Sequence, residues 1–286
     1  MQTQSDRVTD LTGVSTGFPM LDDMTAGLQA RDLVLIAGRP SMGKSLLAMQ
    51  LAYTAAKAGH TAHIVTLEMS AAQCVLRLIA AESEVLFDHV RDAKRLHDSE
   101  WPKVVSAGAK VGALPLFFDE DVYDLRSIVA RIRQVHMQSG TRIVVVDYLQ
   151  LIRGPKAERH DLLIAEITRE FKLLAKALGI TIILLSQLNR DVELRADKRP
   201  GMADLRDSGS IEQDADVVLM IYRDGYYNPE SPNKDFAEVL IRKQRQGQTG
   251  TVPLHTRFSI QRFDSAPEGL PAPVSKRKDS SVDFAG

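Results

Sequence analysis

Eight consecutive residues constrain this chain more than any others: Gly38-Arg39-Pro40-Ser41-Met42-Gly43-Lys44-Ser45 reads G-x-x-x-x-G-K-[ST]. The run lies between a short continuous apolar stretch, Leu33 to Ala37, and a helix-like stretch, KSLLAMQLAYTAAKAG, which Gly59 stops. A buried strand passing through such a loop into a helix is a P-loop. Backbone N–H groups at a helix N-terminus point at phosphate, and glycines let the main chain approach without a Cβ in the way. In that role Gly38, Arg39, Pro40, Ser41, Met42 and Gly43 form the cradle. Lys44 then reaches the β- and γ-phosphates, and Ser45 offers its hydroxyl to Mg2+. A chance glycine-rich turn is the competing reading, and a complete pattern with both flanks in place disfavours it.

The strand–helix alternation repeats down the chain. HIVTLE (63–68), PLFF (115–118), the start of RIVVVDYLQLI (142–152), TIILLSQ (181–187) and DADVVLMIYR (214–223) read as strands. AAQCVLRLIAAE, DLRSIVARIRQVHMQSG and HDLLIAEITREFKLLAKALG read as helices between them. This order predicts an α/β fold with a mostly parallel central sheet and helices on both faces. FAEVLIRKQ and TVPLHTRFSI, joined by RQGQTG, predict a C-terminal antiparallel hairpin at the sheet edge. Residues 1–12 form a flexible lead or linker remnant, 13–263 the folded domain, and 264–286 a tail whose Pro, Ser and charge content predicts disorder. The stretches 153–159 and 189–210 read as loops, and the second is long enough for an α/β domain to mark it as functional or mobile. No internal repeat is evident.

Composition narrows the function classes. The 286 residues carry 36 Lys and Arg against 37 Asp and Glu, a net charge of -1, so no global field draws the protein to nucleic acid or anionic lipid. Any polyanion site is therefore local. One cysteine, Cys74, permits no internal disulfide and reads as a buried small hydrophobe. No apolar run approaches the roughly 18 residues that span a bilayer, and the first residues do not resemble a signal peptide, so a cytoplasmic location without membrane contact is expected. The histidines at 60, 63, 89, 97, 136, 160 and 255 show no H-x-x-x-H or H-E-x-x-H pairing, so neither a structural zinc site nor a protease site is expected. SKRK in the tail reads as a solvated charge run.

A P-loop needs an acid to orient its metal, and Asp147, after four apolar residues in RIVVVDY, is the candidate; capping of the strand is the alternative. Hydrolysis also needs a base for water. Glu68 follows HIVTL at the edge where ligands of open α/β sheets bind, in competition with Asp119, Glu120 and Glu170. Gln187, after TIILLS, either contacts a γ-phosphate or simply ends a strand.

With these residues in place, the sequence resembles the C-terminal, RecA-like motor domain of DnaB-type replicative DNA helicases. The resemblance runs over roughly residues 13 to 263 and rests on STGFPMLDDMTAGLQARDLVLIAGRPSMGKS, VTLEMS, VVVDYLQLI, LLSQLNR, RPGMADLRDSGSIEQDADVVLMIYR and IRKQRQGQTGTVPL. It implies a ring, usually a homo-hexamer, that uses ATP and Mg2+ between subunits to move along single-stranded DNA, 5′ to 3′, and unwind duplex, with primase and a helicase loader as further partners. By the same resemblance Glu68 is the water-activating glutamate, Asp147 the Mg2+-associated aspartate and Gln187 the γ-phosphate sensor. Lys243 and Arg245 are the pair that reaches a neighbouring subunit's γ-phosphate; without the resemblance KQRQ reads as a solvated hairpin end. Arg206, Asp207 and Gly209 match the loop that contacts the DNA backbone, with Asp207 where the family usually has Glu, and Gln246 stands where Asn is common. The family's helical N-terminal domain and linker helix have no counterpart, so an excised domain or a naturally short version is expected. The reading from another class is a RecA-like ATPase that acts as a regulatory or scaffold switch without unwinding.

Overall fold

The computed structural model describes residues 11–154, 160–205 and 208–267. In chain order the elements are α1 (Pro19–Thr25), β1 (Leu33–Gly38), α2 (Lys44–Lys57), β2 (Ala62–Thr66), α3 (Ala71–Ser83), α4 (Phe87–Arg91), α5 (Trp101–Gly112), β3 (Leu116–Glu120) and α6 (Leu125–Ser139). There follow β4 (Ile143–Asp147), α7 (His160–Leu178), β5 (Thr181–Gln187), α8 (Ser208–Asp214), β6 (Val217–Tyr222), α9 (Asp224–Tyr227), β7 (Phe236–Gln244), β8 (Gly250–Arg257) and β9 (Arg262–Ser265). One sheet of nine strands runs in the order β3-β2-β4-β5-β1-β6-β7-β8-β9. The first six in that order are parallel; β7, β8 and β9 join antiparallel.

The continuous apolar runs are strands because both of their faces are covered. In β1 the side chains alternate between two cores: Leu33, Leu35 and Ala37 pack with Ile128 and Ile132 of α6 and Phe171 of α7, whereas Val34 and Ile36 pack with Leu47 and Leu51 of α2. Gly140 ends α6 in the left-handed conformation at φ 64°, and Asp124 caps the other end of that helix by accepting from the Ser127 N–H. Cys74 is buried beside Met49, Tyr53 and Leu78, and burial raises its thiol to about 11, which keeps it protonated and inert.

Three regions differ from the sequence reading, the first being the stretch 189–210, which holds two 3-10 turns, Arg190–Leu194 and Met202–Asp204, and the start of α8 rather than loop alone. Residues between 83 and 115 hold α4 and α5, which pack with α3 in a small helical layer; α4, at five residues, is too short to read by periodicity. The chain also pairs once more after the expected hairpin: Arg262–Ser265 forms a third antiparallel strand on β8, so order continues past residue 263. Phe263 is the reason, being buried against α2 while its backbone exchanges hydrogen bonds with the Gln50 side chain at 2.7 and 2.9 Å.

Candidate active site

Parallel register brings the ends of neighbouring strands to one edge of the sheet. Gly38 at the end of β1 lies beside Gln187 at the end of β5, and Thr66 at the end of β2 lies beside Asp147 at the end of β4. A cleft of about 660 Å3 opens there, lined by Pro40, Ser41, Gly43, Lys44, Ser45, Glu68, Arg77, Asp147, Tyr148, Gln187, Phe258 and Gln261 among others.

The P-loop closes into the first turn of α2 through Gly43, at φ 97°. A Cβ there would also meet the Phe263 ring at 2.8 Å, so β9 leaves room for glycine alone. Lys44 donates from Nζ to the Arg39 carbonyl at 3.2 Å. The Arg39 side chain itself turns away, donating to Glu193 and to the Leu188 carbonyl, both at 2.9 Å, and Met42 is buried in the core. These two residues bring only main chain to the loop.

Burial pushes the Lys44 ammonium down, and the carboxylates of Asp147 and Glu68 oppose it. Burial likewise raises the Asp147 carboxyl, against a hydrogen bond from Ser45 and the charge of Lys44. The Glu68 charge adds to the rise at Asp147, so Lys44 is the cation that works against neutralisation of that carboxyl in a poorly solvated place.

Glu68 sits in a bend built by its own neighbours. The Leu67 N–H continues the ladder to the Asp147 carbonyl at 2.8 Å; Thr66 Oγ1 then donates to the Met69 carbonyl and accepts from the Met69 N–H. Ser70 and Gln73 form a capping box that starts α3 immediately afterwards. Of the four carboxylates weighed from sequence, Glu68 alone lines the cleft. Asp119 is held by His63 and Arg131, and Glu120 accepts from the Ala71 N–H at 2.6 Å.

Several side chains around this edge escaped the sequence reading. Gln150 clamps the end of β5, donating to Ser186 Oγ at 3.1 Å and the Gln187 carbonyl at 3.2 Å while accepting from the Gln187 N–H. Arg77 lines the cleft, bonded to Gln261 at 2.7 Å, and its buried Nε has no partner among the described residues. Arg223 lies 4.1 Å over the Phe258 ring and donates to the Ser41 carbonyl at 2.9 Å. No sequence motif singles out these side chains; an unsatisfied arginine N–H in the cleft that Lys44 also lines suits it to an anion.

Lys243 and Arg245 lie elsewhere. Because β7 is antiparallel to β6, Gln244 meets Val217 at the start of β6, the edge opposite the P-loop. Six residues of β1 at ~3.3 Å each separate the two edges by on the order of 20 Å, farther than an arginine reaches. Lys243 donates to the carbonyls of Glu212 and Ala215 at the end of α8; Arg245 donates to the Gln213 carbonyl and pairs with Asp216 at 3.5 Å. Gly209 is exposed on α8, while Arg206 and Asp207 fall outside the described residues.

Asp216 also accepts from Lys172 and from the Leu33 N–H at 2.8 Å, and beside it burial, then the Asp216 charge, raise Asp32 to about 6. From about pH 4 to 6 the folded chain thus binds more protons at Asp32 than the unfolded one, so stability falls as pH rises through that window. Asp32→Asn removes the cost: its melting temperature is expected to exceed that of the parent chain at pH 8 and to match it at pH 4. Equal melting temperatures at both pH values would contradict this.

Residues 13–265 match the family model described as the DnaB-like helicase C-terminal domain. The chain is 46% identical over 263 residues to the replicative DNA helicase DnaB of Pasteurella multocida and 43% identical over 252 residues to that of Geobacillus stearothermophilus. Those alignments cover 90% and 86% of this chain but only 56% and 55% of the relatives, so it spans little more than half their length. Among solved structures, the ATPase domain of G40P superposes with a TM-score of 0.86 at 37% identity, covering 90% of this chain and 92% of that one. A DnaB-like replicative helicase studied with primase gives the same score and identity over 62% of its length. The strand order, the cleft and these likenesses agree: this chain belongs to the DnaB-like helicase C-terminal domain family, with its RecA-like fold.

Proposed function

We propose that the chain is the ATP-hydrolysing motor of a cytoplasmic replicative DNA helicase, acting in a homo-hexameric ring on single-stranded DNA. The observation that carries this reading is the split of the site. Lys44, Ser45, Glu68 and Asp147 share one cleft, whereas Lys243 and Arg245 stand on the opposite edge, out of reach of their own cleft. A cleft that lacks its arginine and an arginine that lacks its cleft complement each other between neighbouring copies.

Within the cleft the P-loop N–H groups and Lys44 bind the β- and γ-phosphates, and Arg77 offers its free N–H to the same charge. Ser45 and Asp147, which line the same cleft, are the residues that would hold Mg2+, which when bound neutralises phosphate charge. Phe258, backed by Arg223, presents an aromatic face for a base. Glu68 accepts a proton from the attacking water as its oxygen bonds to the γ-phosphorus and the bond to the ADP oxygen breaks. Gln187, whose main chain is held by the Gln150 side chain, senses the γ-phosphate. Arg206 and the Gly209 N–H contact DNA phosphates, with Asp207 contributing main chain; contacts confined to phosphate make binding indifferent to sequence. Primase and a loader are partners of the full ring.

The test is ATP hydrolysis with Mg2+ over a range of protein concentrations, with and without single-stranded DNA. Specific activity is expected to climb with concentration and again with DNA. Arg206→Ala is expected to abolish the rise with DNA and to lower the salt slope of single-strand binding by about 0.7 for each phosphate that the arginine neutralises. Activity flat in concentration and indifferent to DNA would favour a switch over a motor.

A further inference from the structure

The helical layer formed by α3, α4 and α5 contains a cluster that plays no part in the cleft. His89 lies in α4, while His97 and Glu100 belong to the turn that leads into α5. One ligand atom from each of the three comes within 4.8 Å of the other two. His89 Nδ1 is 3.0 Å from Glu100 Oε2 and 3.3 Å from Oε1, and the two imidazoles meet edge to face with centroids 5.5 Å apart.

Part of this arrangement is local folding. The His97 N–H donates to Glu100 Oε2 at 3.0 Å and the Glu100 N–H returns to the His97 carbonyl at 2.8 Å, a reciprocal turn that starts α5. That turn fixes the carboxylate but does not require an imidazole at either position, because His97 uses only its backbone in it. The convergence of two rings on one carboxylate is left over.

We propose that His89, His97 and Glu100 form a surface site for a borderline divalent cation, Zn2+ foremost, that staples α4 to the start of α5. Two imidazole nitrogens and one carboxylate oxygen suit Zn2+, with water in the fourth position, better than they suit Mg2+ or Ca2+, which favour oxygen ligands throughout. Bonds of 2.0–2.1 Å in a tetrahedron place ligand atoms about 3.3 Å apart. The His89–Glu100 pair already has that spacing. His97, exposed on its turn, closes the remaining gap by rotating its side chain. A 3-10 turn of exposed residues, Ala93–Arg95, separates the two contributing segments, so ligation adds a crosslink to the apolar packing of Val90, Leu96 and Val104 that already joins them. The same layer carries Arg77 and packs on the turn Phe258–Ile260 beside the nucleotide cleft, so a staple there stiffens one wall of that cleft.

The experiment is calorimetric titration of the full chain, freed of metal by a chelator, with ZnCl2, together with melting curves at saturating Zn2+. One Zn2+ per chain is expected, with a rise in melting temperature. His97→Ala, a change at an exposed side chain, is expected to weaken binding about ten-fold or more and to remove the rise, while His255→Ala, on β8 and edge to face with Phe236, leaves both intact. Glu100→Gln should weaken binding similarly. Zn2+ binding that persists in His97→Ala and Glu100→Gln but disappears in Asp147→Asn would locate the ion at the nucleotide cleft and overturn the proposal. So would no binding by the parent chain.

Discussion

Lys44→Ala is expected to cut ATP hydrolysis by at least about 10^2–10^3-fold, the scale on which removal of one preorganised charge from a desolvated site acts. Lys44 is half-buried, and the charges of Asp147 and Glu68 favour its ammonium form. Its loss removes the charge proposed to meet the β- and γ-phosphates. It also leaves two carboxylates facing an incoming polyanion, so nucleotide affinity should fall together with turnover. Because the side chain donates only to one loop carbonyl, at 3.2 Å, the fold should tolerate the change and the melting temperature should move little. Phosphate release and fluorescent-nucleotide binding measure the two effects. Turnover within ten-fold of the parent chain, by a folded variant, would overturn the P-loop assignment.

Arg245→Ala should be the second large loss, and its form is as informative as its size. An arginine supplied by a neighbour is worth about 10^3–10^5 in turnover in related phosphoryl-transfer sites. Doped into rings of parent chain, the variant is expected to depress activity more steeply than its mole fraction, since one altered subunit spoils the site of the next. The cost to folding is small, because Arg245 is half exposed and its pair with Asp216 spans 3.5 Å. Loss in simple proportion to the fraction of variant would mean that each chain acts alone. It would then leave the geometry of the opposite edge without a functional account.

Much of the site was legible because strand ends are legible. An apolar run closing in Asp147, Glu68 or Gln187 announces the carboxyl edge of a parallel sheet, and the P-loop announces its ligand. The choice among carboxylates was not legible from residue pattern alone. Asp119 and Glu120 follow a strand just as Glu68 follows another, and only the contacts with Arg131, His63 and the Ala71 N–H show them engaged elsewhere. Arg39 and Met42 sit inside the motif, yet the loop turns one toward Glu193 and the other into the core. The strand Arg262–Ser265 was hidden by its company: four residues beside a Pro-rich, charged segment carry too little pattern to be read as a strand.

The sequence by itself determined the class of fold, the phosphate-binding loop and the order of elements along the chain. These follow from short-range patterns, namely the two-residue and 3.6-residue periods, the glycines at turns and the polar residues that cap helices. Tertiary structure alone decided which of those elements became neighbours. Strand register aligned Gly38 with Gln187 and Thr66 with Asp147, and the antiparallel turn of β7 carried Lys243 and Arg245 to the far edge. Packing of α4 on the turn before α5 gathered two histidines and a glutamate that no spacing rule connects. Proximity between residues far apart in the chain is set by the burial of many apolar side chains at once. No local stretch holds that information.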